Sequence, residues 1–174
     1  MIARLMSAGL PARLEVSRAA ARGLSLGGQL PLRLMGRIAG LLADPAGEVA
    51  YELGFSRDGQ GRDRLTGRLG GTARLTCQRC LRPMDWRFEL PLDVQLARSE
   101  AEETAARGDC LLIEDDALNP RELIEDELLL ALPSAPKHSD PAQCGPAVTG
   151  GAKQEPEPAR RPFAAALAEL KTRK

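Results

Sequence analysis

The stretch Gly47-Glu48-Val49-Ala50-Tyr51-Glu52-Leu53-Gly54-Phe55-Ser56 decides the fold class. Val49, Tyr51, Leu53 and Phe55 alternate with Ala50, Glu52, Gly54 and Ser56. One face is therefore apolar with a period of two, the repeat of a half-buried strand. Arg57-Asp58-Gly59-Gln60-Gly61 supplies turn chemistry. In the next stretch, Leu65 to Thr76, the residues Leu65, Gly67, Leu69, Gly71, Ala73 and Leu75 share a face opposite Thr66, Arg68, Arg74 and Thr76. Glycines at 67, 70 and 71 predict a bulge or a strong bend there. Beyond Cys77-Gln78-Arg79-Cys80-Leu81-Arg82-Pro83, the alternation resumes through Met84, Trp86, Phe88, Leu90, Leu92, Val94 and Leu96. Pro91 lies in the middle of this third strand, which predicts an edge position or a kink. Three such strands in succession form an antiparallel meander.

Upstream of it, Leu30-Pro31 and the spacing of Leu34, Met35, Ile38, Leu41 and Leu42 predict a short helix over 30–43, ended by Asp44-Pro45. Arg4, Arg13, Arg18 and Arg22 against a single Glu15 resemble an organelle transit segment in composition, as ordinary Arg-rich amphipathic segments also do. Downstream, 99–109 is acidic and alanine-rich, and Cys110-Leu111-Leu112-Ile113 reads as a short strand. Asn119 as a cap, Pro120 at the first helical position and Glu122 in the first turn open a helix, which Pro133 and Pro136 stop. Gly145 to Pro162 holds seven Gly or Pro residues and almost nothing to bury, the composition of a flexible linker. Phe163, Leu167 and Leu170 then mark a short helical stripe over 162–174.

The expected organisation is a single domain over 1–144, a linker over 145–161 and the short terminal helix. The fold class expected is α+β: an antiparallel meander or partly open barrel of about four to six strands, one or two packed helices and a flexible C-terminal tail.

With 174 residues, 43% of them hydrophobic and 28% charged, the chain reads as a soluble globular protein. Apolar runs such as Leu128 to Leu132 are far below the roughly 20 residues a membrane helix needs. The 24 basic and 24 acidic residues exclude a globally basic nucleic-acid binder and a globally acidic mimic. That zero is a cancellation. Residues 1–98 carry 15 basic and 9 acidic side chains, 99–127 carry 2 and 11, and 128–174 carry 7 and 4.

Cys77-x-x-Cys80 follows a strand and is answered by His138 and Cys144 after the helix. A two-residue spacing places both thiolates on one edge of a tetrahedron, and one imidazole with a third thiolate completes a structural zinc site. Fifty-seven residues separate Cys80 from His138, more than in a compact finger. The plainer reading is three small buried residues and a surface imidazole. A redox dithiol is disfavoured because Pro83 and a strand follow where such a motif opens a helix. A Cys–His nucleophile finds no oxyanion-type loop, and the glycines of the second strand are no phosphate loop, because no helix follows them.

Arg68, Arg74, Arg79, Arg82 and Arg87 stand out as a basic stripe for phosphate contact, whereas Trp86 is in phase with Met84 and Phe88 and reads as core. Glu122, Glu125 and Asp126, with Phe163, Leu167 and Leu170 of the terminal stripe, are the candidate partner-binding residues. For the acidic run the ordinary reading is the solvated face of a helix.

Taken together, Cys77-Gln78-Arg79-Cys80-Leu81-x-Pro83-Met84, then Leu123 through Leu132-Pro133-x-x-Pro136-x-His138, then Cys144, then Pro162-Phe163-Ala164 to Leu170-Lys171, resemble the bacterial YceD family. The order and intervals match from about residue 25 onward; Cys110 is an additional cysteine outside the pattern. The resemblance implies a cytoplasmic protein with a role in synthesis, processing or stability of 23S ribosomal RNA, and it carries no catalytic residue. It also implies company, since members are commonly encoded beside a zinc-binding protein of the large ribosomal subunit. The expectation is a non-enzymatic ribosome-biogenesis factor, with large-subunit ribosomal RNA or a pre-ribosomal particle as partner and neither DNA nor membrane. The alternative is a protein-interaction module acting on a ribosomal protein or ribonuclease without touching RNA. An enzyme using Cys77, Cys80 and His138 is the third reading.

Overall fold

The computed structural model of the protein describes residues 4–6, 9–106 and 108–144. The linker and helix expected over 145–174, with Phe163, Leu167 and Leu170, lie outside the described residues.

The period-two stretches form the centre of the fold. Strand β1 is Arg4–Met6, β2 Leu14–Glu15, β3 Ser25–Pro31, β4 Glu48–Arg57, β5 Asp63–Thr76, β6 Pro83–Ala97, β7 Cys110–Leu112 and β8 Ala117–Leu118. Six of them make one sheet in the order β1-β3-β4-β5-β6-β7, while β2 and β8 form a separate antiparallel pair. Strands β3 to β6 run antiparallel to their neighbours, and β1 and β7 add parallel partners at the two edges. The architecture is α+β with an open sheet, and the meander lies at its heart.

Register follows the hydrophobic alternation. Tyr51 pairs with Leu69 and Leu69 with Leu90, so apolar residues align across the sheet on one face. Leu53, Phe55, Leu65, Leu69 and Leu96 are each 2% exposed or less, and burial of each such side chain contributes about 1.5–3 kcal/mol. The bulge expected at the glycines of β5 is absent: pairing with β6 is unbroken from Asp63↔Leu96 to Thr76↔Pro83. Close approach accounts for Gly67 and Gly71 instead. A Cβ on Gly71 would sit 2.8 Å from the Glu48 carbonyl oxygen and 2.8 Å from the Phe88 ring, and one on Gly67 would collide with the Glu52 carbonyl. Trp86 is half-buried against the core and tilted over Phe88 with ring centroids 4.7 Å apart. Pro91 sits in an unkinked β6, on the length of that strand beyond which no described strand pairs.

Residues 30–43 depart from expectation. Leu30 and Pro31 end β3, and Leu32–Leu34 then makes one 3-10 turn. Met35 is extended at φ −109°, and α2 (Gly36–Ala39) is a single turn. The 3.6-residue spacing reflects the inward pointing of Leu32, Met35 and Ile38 from two separate turns, while Leu34 and Leu41 stay exposed. Two other helices are short: α1 (Val16–Ala21) lies on β4 and β5, and α3 (Glu100–Ala105) is capped by the Ser99 side chain accepting from the Glu102 N–H. Helix α4 (Pro120–Ala131) starts as its sequence predicts, with Asn119 Oδ1 accepting from the Arg121 N–H at 3.1 Å. It buries Leu123, Ile124 and Leu128. Among the described residues no helix is long and apolar enough to cross a membrane.

Two buried carboxylates hold these layers together. Glu125, on α4, accepts from the backbone N–H groups of Arg37 at 2.6 Å and Ile38 at 3.1 Å, capping the single turn of α2. Asp63 is fully buried between Arg57, at 2.7 Å, and Arg98. Arg98 reaches on to Asp116, which accepts from the Ser17 N–H and hydroxyl at the start of α1.

Candidate metal centre

The hairpin between β5 and β6 is the Cys77–Arg82 loop. The Cys77 N–H donates to the Arg82 carbonyl at 2.9 Å and the Leu81 N–H to the Cys77 carbonyl at 2.8 Å. Closing so tight a loop requires Leu81 to take φ 57°, a left-handed value uncommon for a side chain of its size. The result is a knuckle that buries Cys77 and Cys80 while Leu81 projects into solvent.

Helix α4 delivers the other half. Pro133 follows its last turn, and the chain returns so that the Pro136 carbonyl accepts from the Gln78 N–H at 2.7 Å. His138 comes next, and a 3-10 turn at Pro141–Cys144 buries Cys144. Asp140 starts that turn by accepting from the Ala142 N–H at 2.8 Å.

One donor atom from each of Cys77, Cys80, His138 and Cys144 lies within 4.8 Å of the others. His138 Nδ1 is 3.6 Å from both Cys80 Sγ and Cys144 Sγ. A tetrahedral ion with bonds of about 2.3 Å to sulfur and about 2.0 Å to nitrogen sets its donors roughly 3.6–3.8 Å apart. Two of the separations match that spacing and all lie within 4.8 Å, so three thiols and an imidazole here fit a divalent, thiophilic metal. All four vertices come from protein, so the centre would leave no position for substrate or water.

Cys77 and Cys144 differ in their electrostatics. Burial alone would raise the Cys77 thiol. The backbone N–H groups of His138, Arg79 and Cys80, with the His138 ring, outweigh it and bring the pKa down to about 5. Cys144 is raised instead, first by burial and then by the neighbouring Cys80 and Cys77. The Arg79 guanidinium lies 3.7 Å from Cys144 Sγ, where it offsets negative charge on the sulfurs. Cys110 lies apart, half-buried in β7, its thiol raised by burial.

The five candidate arginines separate into two groups. Arg68 pairs with Glu52 at 3.0 Å, and Arg74 with Asp85 at 3.6 Å and Asp44 at 4.0 Å. On the same outer face Arg64 pairs with Asp93, so the middle of the sheet presents alternating charges. Arg79 and Arg82 are exposed on the knuckle and Arg87 on β6, and among the described residues none of the three has a carboxylate partner. Of the acidic candidates Glu122 is exposed and Asp126 pairs with Arg37 at 2.6 Å, whereas Glu125 is turned inward as the cap of α2. Sequence spacing gave no sign of the Glu125 contacts or of Arg98 at Asp63, since those partners are far away in the chain; Arg57 lies only six positions from Asp63, across the β4–β5 turn.

The model of one protein family matches residues 65–171: large ribosomal RNA subunit accumulation protein YceD. That span contains β5, the knuckle, β6, α4 and all four donors of the centre, and it begins later than the position near residue 25 from which the motif order resembles the family. No curated protein and no solved structure matches the chain significantly. With well over half its length matched, including every residue of the Cys3His cluster, the chain belongs to the YceD family of large ribosomal RNA subunit accumulation proteins.

Proposed function

We propose that this protein is a non-enzymatic, cytoplasmic ribosome-biogenesis factor supporting synthesis, processing or stability of 23S ribosomal RNA, built around one structural zinc. Membership of a family named for large ribosomal RNA subunit accumulation carries this reading. The zinc would be held by Cys77, Cys80, His138 and Cys144, pinning the β5–β6 hairpin to the chain after α4. A site with four protein donors suits a scaffold better than a catalyst.

Of the arginines, Arg79 and Arg82 are best suited to ribosomal RNA, because they project from the pinned hairpin, while Arg68 and Arg74 already face carboxylates. Phosphate contact by arginines without a carboxylate partner among the described residues gives affinity that falls with salt. The test is replacement of the chromosomal gene by an Arg79→Glu/Arg82→Glu form shown to keep its metal content, since Arg79 also reaches Cys144 Sγ. The ratio of mature 23S to 16S RNA is expected to fall toward that of the deletion strain, and an unchanged ratio overturns the RNA-contact reading.

The neutralised sheet face and the exposed Glu122 of α4 favour a second reading: the same role exercised through a ribosomal protein or ribonuclease. Capture of such a partner that survives nuclease digestion and the double arginine substitution would support it.

A further inference from the structure

Strand β6 has two different sides. Along its length β5 covers one side, from Pro83 to Leu96, whereas β7 covers the other only at Gln95–Ala97. Backbone groups alternate between the two sides, so the positions facing the open edge can be identified. The Ala43 N–H donates to the Arg74 carbonyl at 2.8 Å, so Arg74 turns its backbone away from β6 and its partner Asp85 turns away from β5. The Gln95 N–H donates to the Asp109 carbonyl at 2.9 Å on that same outer side. Asp85, Arg87, Glu89 and Asp93 therefore present their N–H groups to the open edge. Pro83 and Pro91 occupy the positions in that series that have no N–H to present.

Two of the usual defences are present, Pro83 and Pro91 and the charged side chains on the outer face, but the edge is long and carries no inward charge. Protective charges on edge strands often point inward or are lysines, and strands are kept short. Here the inward positions are Met84, Trp86, Phe88 and Leu90, of which Met84, Trp86 and Leu90 are only half-buried. The outward charges alternate in sign. Asp85 already has Arg74, and Asp93 already has Arg64. Arg87 and Glu89 have no ion-pair partner among the described residues.

We infer that the open edge of β6 is a self-association surface, on which β6 of a second copy pairs antiparallel about a two-fold axis through Phe88. The open window runs from Pro83 to Asp93, and Phe88 is its midpoint. A two-fold register centred there uses the whole window and stops short of β7. It sets Arg87 opposite Glu89 of the second copy, and Glu89 opposite Arg87, joining two charges that have no ion-pair partner among the described residues. It also lays Trp86 over Leu90 of the second copy and Phe88 over Phe88. The neighbouring symmetric register centred on Arg87 sets Arg87 against Arg87 and Asp85 against Glu89, which like-charge repulsion disfavours. The surface is independent of the RNA reading, and it adjoins the metal centre at Met84, which packs against the cysteine cluster.

Sedimentation velocity on the full chain over a concentration series tests the pairing. A reversible dimer is expected. Arg87→Glu and Glu89→Arg should each weaken it about tenfold by setting like charges opposite each other twice, and the double exchange should restore it. Hydrogen exchange on the unaltered protein gives a second reading, with the amides of Asp85, Arg87, Glu89 and Asp93 expected to gain protection as concentration rises. A protein that stays monomeric, with those amides unprotected at every concentration, overturns the proposal. So does a dimer whose affinity neither single substitution changes.

Discussion

His138 Nδ1 stands 3.6 Å from Cys80 Sγ, although the two residues are 58 positions apart in the chain. Helix α4 and the prolines after it make that approach possible, and Gln78, donating to the Pro136 carbonyl at 2.7 Å, fixes it. With Cys77 and Cys144 the pair forms a donor set whose spacing suits a metal, and the first two expectations below depend on it.

Removing one donor should remove the metal. Cys80→Ser or His138→Ala is expected to abolish stoichiometric binding and to lower the melting temperature. Chelation should do the same to the unaltered protein, with a loss of about 4 kcal/mol if free metal had exceeded its Kd a thousandfold. Calorimetry with and without chelator measures this.

In the metal-free protein Cys77 should titrate near pH 5, well below its ordinary value of 9.0. Its folded pKa lies below its unfolded one. Its contribution to stability is therefore complete above the unfolded value and is lost as pH falls through about 5. Thiolate absorbance at neutral pH should report this anion and should disappear in Cys77→Ser. Cys144, shifted upward, should add its signal only in alkali.

Glu125→Ala should destabilise the fold by about 2 kcal/mol, because it leaves the buried Ile38 N–H and the Arg37 N–H without acceptors. Glu125→Gln keeps one acceptor oxygen and should cost less. Denaturant melts of both variants decide this. A neutral Glu125→Ala would mean the cap is not formed in solution.

Asp63→Ala removes a fully buried carboxylate from between Arg57 and Arg98. Both arginines are partly exposed, so the cost should lie near about 3 kcal/mol, the low end for breaking a buried pair. Arg57→Ala, which leaves Asp63 its Arg98 partner, should cost less. Urea unfolding of the two variants gives the comparison.

Much of this was legible in the sequence where one physical signal dominated. The alternation from Val49 to Phe55, and again from Met84 to Leu96, fixes strand, face and register together, because a one-residue slip would expose every apolar side chain. Asn119-Pro120 marks the start of α4 for a similarly local reason. By contrast, β3 was hidden because Gly27 and Gly28 blank its alternation between Leu26 and Leu30. The turns after it were mistaken for one helix because Met35 and Ile38 reach the same core from separate pieces. The cysteine knuckle could be read from its spacing. Its closure on His138, and the inward turn of Glu125 within an acidic run, are tertiary events that local patterns do not encode.

The claim at the centre of the account is that Cys77, Cys80, His138 and Cys144 bind one structural zinc. X-ray absorption at the zinc edge, on full-length protein purified without added metal and of measured metal content, tests it most directly. One zinc per chain is expected, with three sulfurs at about 2.3 Å and one nitrogen at about 2.0 Å. A metal-free protein that keeps its full stability in the presence of chelator would contradict it, as would zinc surrounded by oxygen ligands.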